Sequence, residues 1–149
     1  FEHSGLQLST IVIGLESVRF RHELSSILDA VSDRRAVFSL DLMRGNPLLG
    51  DKTWSDTPPL EIVREVVDAG FRRFIVLDLS GVGAEQGLRT TDLCREILAE
   101  FPGLELTTGG GVRHRDDIES VARAGCQGIL IASALYQGQL SRAELGQFR

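Results

Sequence analysis

The stretch from Leu104 to Gly138, LELTTGGGVRHRDDIESVARAGCQGILIASALYQG, constrains the fold of this chain more than any other. An apolar run at Leu104 and Leu106 ends in Thr107-Thr108 and three glycines, Gly109 to Gly111. A helix-period segment follows, with Ile118, Val121 and Ala122 on one face, and Gly125 stops it. A second apolar run, Gly128 to Ala132, opens into Ser133-Ala134-Leu135-Tyr136. Strand, glycine turn, helix, strand and small-residue turn in that order make two parallel strands with a crossover helix. Both strands end in residues too small to shield their backbone N–H groups, and adjacent bare N–H groups form a cup for an anion such as phosphate. The bland alternative is that the glycines only permit a tight turn or a positive φ.

The rest of the chain repeats this unit. Thr10 to Gly14 (TIVIG) is a continuous β-branched run, typical of a strand covered on both faces. Phe20 to Val31 carries Leu24, Ile27, Leu28 and Val31 at helical spacing. Ala36 to Leu42 is a second strand with Asp41 near its C-terminal end, and Met43 to Thr57 is a long loop holding Arg44 and Trp54. Thr57-Pro58-Pro59 starts a helix, since proline fits the first turn, with Leu60, Val63, Val66 and Val67 as its apolar face and Gly70 as its stop. Phe74 to Leu79 is a third strand, again with an aspartate, Asp78, near its end, and Ser80 to Gly87 is a glycine-rich loop. Thr90 or Thr91 caps a helix buried through Leu93, Ile97, Leu98 and Phe101, which Pro102-Gly103 breaks. Phe1 to Ser9 reads as the tail of a helix and a turn, and Ser141 to Phe148 as the start of one more helix.

The pattern is βαβαβαβαβ, about five strands and four to five helices, in one domain over residues 1–149. It specifies a parallel sheet with covering helices, either an open doubly wound sheet or part of a (β/α)8 barrel, and both put chemistry at the C-terminal strand ends. An internal echo favours the barrel. Ile11 to Val18 reads IVIGLESV and Ile129 to Tyr136 reads ILIASALY, four strands apart, as two duplicated half-barrels would place them. Chance resemblance between two buried strands is the other explanation.

A net charge of −5 with no basic run argues against nucleic acid as a partner. No apolar run approaches membrane-spanning length, and no signal-peptide pattern is present. Cys94 and Cys126 each sit inside a periodic element and read as buried thiols of a reducing, cytoplasmic compartment rather than a disulfide or metal pair. His3, His22 and His114 are isolated, so no metal and no cofactor is expected. The chain begins at Phe1 rather than Met, as a fragment or processed product would.

Several blocks resemble one known family, the histidine-biosynthesis barrels HisA and HisF. They are IVIGLES (Ile11–Ser17), VFSLDLMRG (Val37–Gly45), Trp54, PLEIVREVVDAGFRRFIVLD (Pro59–Asp78), GGGVRHRDDI (Gly109–Ile118) and ILIASALYQG (Ile129–Gly138). The resemblance is closer to HisA and implies that the chain is the C-terminal part of a TIM (β/α)8 barrel, strands four to eight. It implies an aldose–ketose (Amadori) isomerase of a bis-phosphorylated ribotide in histidine biosynthesis. Gly14 would then belong to one phosphate site, and Gly110, Gly111, Ala132 and Ser133 to the other. Asp41 matches the family's strand-five aspartate, a catalytic acid that donates a proton only if desolvation keeps it protonated.

Three departures from the family pattern keep other readings open. The family's strand-one aspartate has no counterpart here. The phrase T-D-I-x-x-D-G becomes Leu77-Asp78-Leu79-Ser80-Gly81-Val82-Gly83, so Leu77 replaces a functional threonine and cannot hydrogen-bond an intermediate. Ala132 stands where glycine is usual. An alternative is therefore a HisA-related phospho-ligand enzyme of another pathway, for example of one-carbon (methanopterin-type) cofactor synthesis, in which Asp78 takes a catalytic part. Another is a non-catalytic phosphate-binding half-barrel. Five strands cannot close an eight-stranded barrel, so the apolar edge strands predict self-association or pairing with a missing N-terminal half.

Overall fold

The computed structural model describes residues 8–50, 53–81 and 88–148. Phe1 to Gln7 with His3, the loop positions Val82 and Gly83, and Arg149 lie outside the described residues. Five parallel strands carry the fold: β1 (Ile11–Gly14), β2 (Ala36–Met43), β4 (Arg73–Asp78), β5 (Glu105–Gly109) and β6 (Gly128–Leu130). Between them run α1 (Glu23–Val31), α2 (Pro59–Asp68), α3 (Thr91–Glu100) and α4 (Arg115–Arg123), with short helices α5 (Ser133–Tyr136) and α6 (Arg142–Leu145) at the end. A two-residue strand β3 (Asn46–Pro47) pairs antiparallel with β2.

The sheet order is β1-β2-β4-β5-β6, with no reversal. A doubly wound sheet needs a switch point where the order turns back. Here each right-handed crossover advances the sheet in one direction, which puts every crossover helix on the same face. That is the arrangement of barrel staves, and it decides the choice the sequence left open.

The helix-covered face holds the core. Phe38, Leu40, Leu42, Phe74, Val76 and Leu106 of the strands pack on Leu24, Ile62, Val63, Val66 and Ile97 of the helices, and all are buried. Phe38 and Phe71 meet edge-on, with ring centroids 5.6 Å apart. The other face is only partly covered: Val12 is 54% exposed and Leu130 45%. Among the described residues β1 pairs only with β2 and β6 only with β5, so both edges of the parallel sheet are open.

Several boundaries and faces differ from the sequence reading, each for a local reason. α1 starts at Glu23 rather than Phe20, because the Glu23 carboxylate accepts the N–H groups of Arg19 (3.1 Å) and Phe20 (3.2 Å) and holds 20–22 as a turn. α2 keeps its proline start but buries Ile62 completely, a position the apolar spacing had left out. β4 ends at Asp78, because that side chain accepts the Ser80 N–H at 2.9 Å and bends the backbone into a turn. β6 ends at Leu130 instead of Ala132, since its partner β5 stops at Gly109. Thr90 holds the N-cap position of α3 without capping it. Its hydroxyl meets the Thr108 hydroxyl at 2.6 Å, and Thr108 donates its one proton to the Val76 carbonyl at 2.8 Å, so Thr90 is the donor of that pair. Ala122 is exposed, leaving Ile118 and Val121 as the buried face of α4. Cys94 is fully buried but Cys126 is only half-buried, and both thiols are free.

Candidate functional site

Strand alternation and register fix where each candidate side chain can act. Asp41 pairs across the ladder with Leu77, Leu77 with Gly109, and Gly109 with Leu130. These four residues form one row across the open face, near the C-terminal strand ends. Asp78 pairs with Leu42, one residue further on, and so lies on the helix-covered face with the buried Leu42 and Val76. The two candidate catalytic carboxylates are therefore not brought together: Asp41 looks into the open face and Asp78 away from it.

Asp41 is half-buried, and its Oδ1 accepts the Ser39 hydroxyl at 2.8 Å. Ser39 precedes it by two residues and shares its face, a relation readable from alternation that the sequence reading passed over. Oδ2 is the oxygen left to face a ligand.

Asp78 is 1% exposed and fully engaged. It accepts the N–H groups of Arg44 (3.1 Å), Gly45 (2.8 Å) and Ser80 (2.9 Å) and the Ser80 hydroxyl (2.5 Å). Burial alone would push this carboxyl up, but the donors from Ser80, Gly45 and Arg44 outweigh it and hold the group below its ordinary range. Arg44 and Gly45 have φ of 54° and 79°, the two positive values that a two-residue hairpin turn requires. Asp78 clamps that β2–β3 turn to the end of β4. Its four accepted bonds engage both carboxylate oxygens.

The small residues of the last two strand ends do come together. Gly110, Gly111, Ala132 and Ser133 line one cavity of about 330 Å³, walled on its sides by Leu77 and Leu130. The loop and turn hydrogen bonds among the described residues use none of the N–H groups of Gly111, Ala132 and Ser133. Gly110 and Gly111 have φ of 88° and 107°. A Cβ on Gly110 would run into the Asp78 carbonyl, and one on Gly81 into the Gly110 carbonyl. The glycines thus serve the tight packing of two turns as well as opening the cavity, so both readings of the triple glycine hold at once. A larger cavity of about 450 Å³ lies beyond β4, where Arg44, Asp78, Arg89 and Thr90 line it. It does not contain the small-residue cup.

Gly14 lies at the opposite edge of the sheet, at the end of β1. The Glu16 carboxylate folds against its Cα, in the space a side chain would take, and the Ser17 hydroxyl donates to its carbonyl at 2.6 Å. An anion at Gly14 would meet the Glu16 carboxylate close by.

Trp54 and the polar residues that open α4 have local partners. Trp54 is buried, donates its indole N–H to Glu65 at 2.8 Å, and lies under the Arg21 guanidinium, itself 2.7 Å from Glu65. Arg115 pairs with Glu119 at 2.8 Å and lies over the Phe148 ring. Asp117 accepts the N–H groups of Arg113 and His114 at the start of α4, as an acidic group at a helix N-terminus should. Among the described residues no three His, Cys, Asp or Glu side chains cluster to hold a metal ion, and no helix is long and apolar enough to cross a membrane.

Comparison with known proteins places this geometry. A family model described as histidine biosynthesis protein matches residues 4–141. The chain is 28% identical over 134 residues to the 1-(5-phosphoribosyl)-5-((5-phosphoribosylamino)methylideneamino) imidazole-4-carboxamide isomerase of Cenarchaeum symbiosum, covering 88% of this chain and 56% of that protein. It is 30% identical over 135 residues to the isomerase of the same name from Deinococcus radiodurans, covering 89% and 56%. The corresponding Bacteroides fragilis protein is 35% identical over 98 residues, covering 64% and 41%. The chain spans about half the length of the curated relatives it matches.

Proposed function

The chain belongs to the histidine biosynthesis protein family, and from that premise we propose that its open face serves the HisA-like isomerisation of a bis-phosphorylated aminoaldose to the aminoketose. The observation that carries this reading is the row Asp41–Leu77–Gly109–Leu130, which sets one half-buried carboxyl on the same face as the small-residue cup, with Leu77 between them. The reaction needs a proton on the furanose ring oxygen to open the ring, and a base to remove the proton from the neighbouring sugar carbon. Asp41 is the acid. Ser39 holds Oδ1, which leaves Oδ2 to carry and deliver the proton. The base comes from a second carboxylate supplied by strands this chain does not contain.

One phosphate sits in the cup of Gly110, Gly111, Ala132 and Ser133, where backbone N–H groups meet its oxygens. The second lies toward Gly14, once Glu16 turns out. Four strand spacings separate the two edges, on the order of 19 Å along the sheet and less across a curved one, the span of a ligand with a phosphate at each end. Asp78 enters as a positioning group that fixes the Arg44–Gly45 turn beside Asp41. The remaining strands of the barrel pair with the open edges of β1 and β6, and the cytoplasm is the compartment where this biosynthetic chemistry belongs.

A second reading rests on Leu77. It puts an apolar side chain directly beside Asp41, where a hydroxyl would bond an intermediate, and so favours a different phospho-ligand reaction on the same scaffold. The test is turnover of the ribotide by the intact protein, with Asp41→Asn beside it. The expected result is turnover that falls by roughly 10²–10⁴-fold in the variant, as loss of a general acid should cause. No turnover by the wild type, with phosphate still protecting the Gly109–Gly111 amides from exchange, would transfer the site to the second reading. Neither turnover nor protection would leave a half-barrel without a phospho-ligand.

A further inference from the structure

The helix-covered face holds a pair of thiols that the isomerase reading does not use. Thr90, Cys94 and Leu98 follow one another at intervals of four along one side of α3. Each meets the same strip of the neighbouring unit. Thr90 bonds Thr108 of β5, as described. Leu98 Cδ1 would lie 3.2 Å from a Cβ on Gly125, the residue that ends α4. Cys94, between them on the same side of α3, lies beside Cys126, the residue after that glycine, and both belong to one apolar cluster. Cys94 is wholly enclosed in the core, whereas Cys126 packs against that core and remains half-exposed. Cys126 is thus the thiol nearer to solvent, and Cys94 lies deeper in the core.

We propose that Cys94 and Cys126 are an oxidant-sensitive pair, in which Cys126 is the thiol attacked first and Cys94 resolves it into a disulfide joining α3 to the α4–β6 turn. With hydrogen peroxide as oxidant, the Cys126 thiolate attacks one peroxide oxygen, the O–O bond breaks, and a sulfenic acid forms as the first water leaves. The Cys94 sulfur then attacks the Cys126 sulfur, the S–O bond breaks, the S–S bond forms, and the second water departs. Two electrons pass from the sulfur pair to the peroxide oxygens, and the two thiol protons leave in the waters. The polarity of the pair suits this order. The nearness of Cys94 holds the Cys126 thiol below its ordinary range, and the same neighbour together with burial pushes Cys94 up.

The experiment is peroxide treatment of the intact protein, followed by blocking of free thiols, non-reducing digestion and peptide mass analysis. The expected product is a Cys94–Cys126 linked peptide within a single chain, about 2 Da lighter than the two free thiols and released by dithiothreitol. Cys94→Ala should stop at a Cys126 sulfenic acid that dimedone traps. Because Cys94 is a core residue, the partly exposed Cys126→Ser provides the second arm, and in it Cys94 should stay reduced at the same dose. Two blocked thiols after treatment, linkage only between chains, or Cys94 oxidised as fast in Cys126→Ser as in the wild type would overturn the proposal.

Discussion

Two aspartates that look alike in sequence occupy different settings at the scale of single residues. Asp41 and Asp78 each sit near the end of an apolar strand, and the sequence offers both as catalytic groups. The register separates them by face, and the hydrogen bonds separate them by the donors each accepts, one for Asp41 and four for Asp78. The parity needed to tell them apart is present in the sequence, since Asp78 shares spacing with Phe74 and Val76, and Asp41 does not share it with Phe38 and Leu40. Which parity faces the helices is legible on β2, where Ser39 and Asp41 alternate with Phe38, Leu40 and Leu42, but not on β4, where Ile75 and Leu77 are as apolar as Phe74 and Val76. Asp78→Asn should destabilise the fold by about 1.5–3 kcal/mol at neutral pH, the scale of hydrogen bonds to a charged group. The acid dependence has a defined sign. The folded carboxyl is held below its unfolded value, so its contribution is present above about pH 4 and is lost as pH falls through the lowered folded value. Urea unfolding of wild type and variant at pH 7 and near pH 3 should show the stability gap closing on acidification. A gap of the same size at both would mean that the charge on Asp78 contributes nothing.

At the scale of elements, glycine punctuation placed most turns, but it could not rank them. Gly45 and Gly110 both have positive φ. Around Gly45 nothing lies within 4 Å of an added Cβ, so Gly45→Ala carries only the backbone strain, about 1 kcal/mol. At Gly110 the added Cβ meets the Asp78 carbonyl, which the β4 ladder cannot easily yield. Gly110→Ala should therefore cost about 1–3 kcal/mol more than Gly45→Ala by chemical denaturation. Equal losses would show that the turn after β4 gives way freely. The β2–β3 hairpin went unread for a related reason: its turn is Arg-Gly, and no Asn or Asp marks the first position. The pairing of Thr90 with Thr108 was also hidden, because a threonine just before a helix reads as a cap whenever its distant partner is unknown.

At the scale of the whole molecule, the alternation of strands and helices was legible, and the direction of sheet growth was visible only through the short echo between Ile11–Val18 and Ile129–Tyr136. The monotonic strand order gives that echo a physical meaning, since the two segments form the opposite open edges of the parallel sheet. Those edges set the last expected outcome. An open β1 and β6 present unpaired backbone groups beside the exposed Val12 and Leu130, a combination that invites pairing with another chain. Residues 1–149 expressed alone should therefore dimerise or aggregate at micromolar concentration by light scattering, with far-UV circular dichroism still showing mixed helix and strand. Val12→Lys with Leu130→Lys places charge on the open face without touching the helix-covered core, and should shift the population toward monomer with the same spectrum. On the proposed barrel reading, the N-terminal half of a curated relative should compete for the same edges and give a one-to-one complex at the expense of the self-associated form. A monomeric wild-type chain would show that the edges are protected without a partner, and an unchanged assembly in the double lysine variant would move the contact to the helix-covered side.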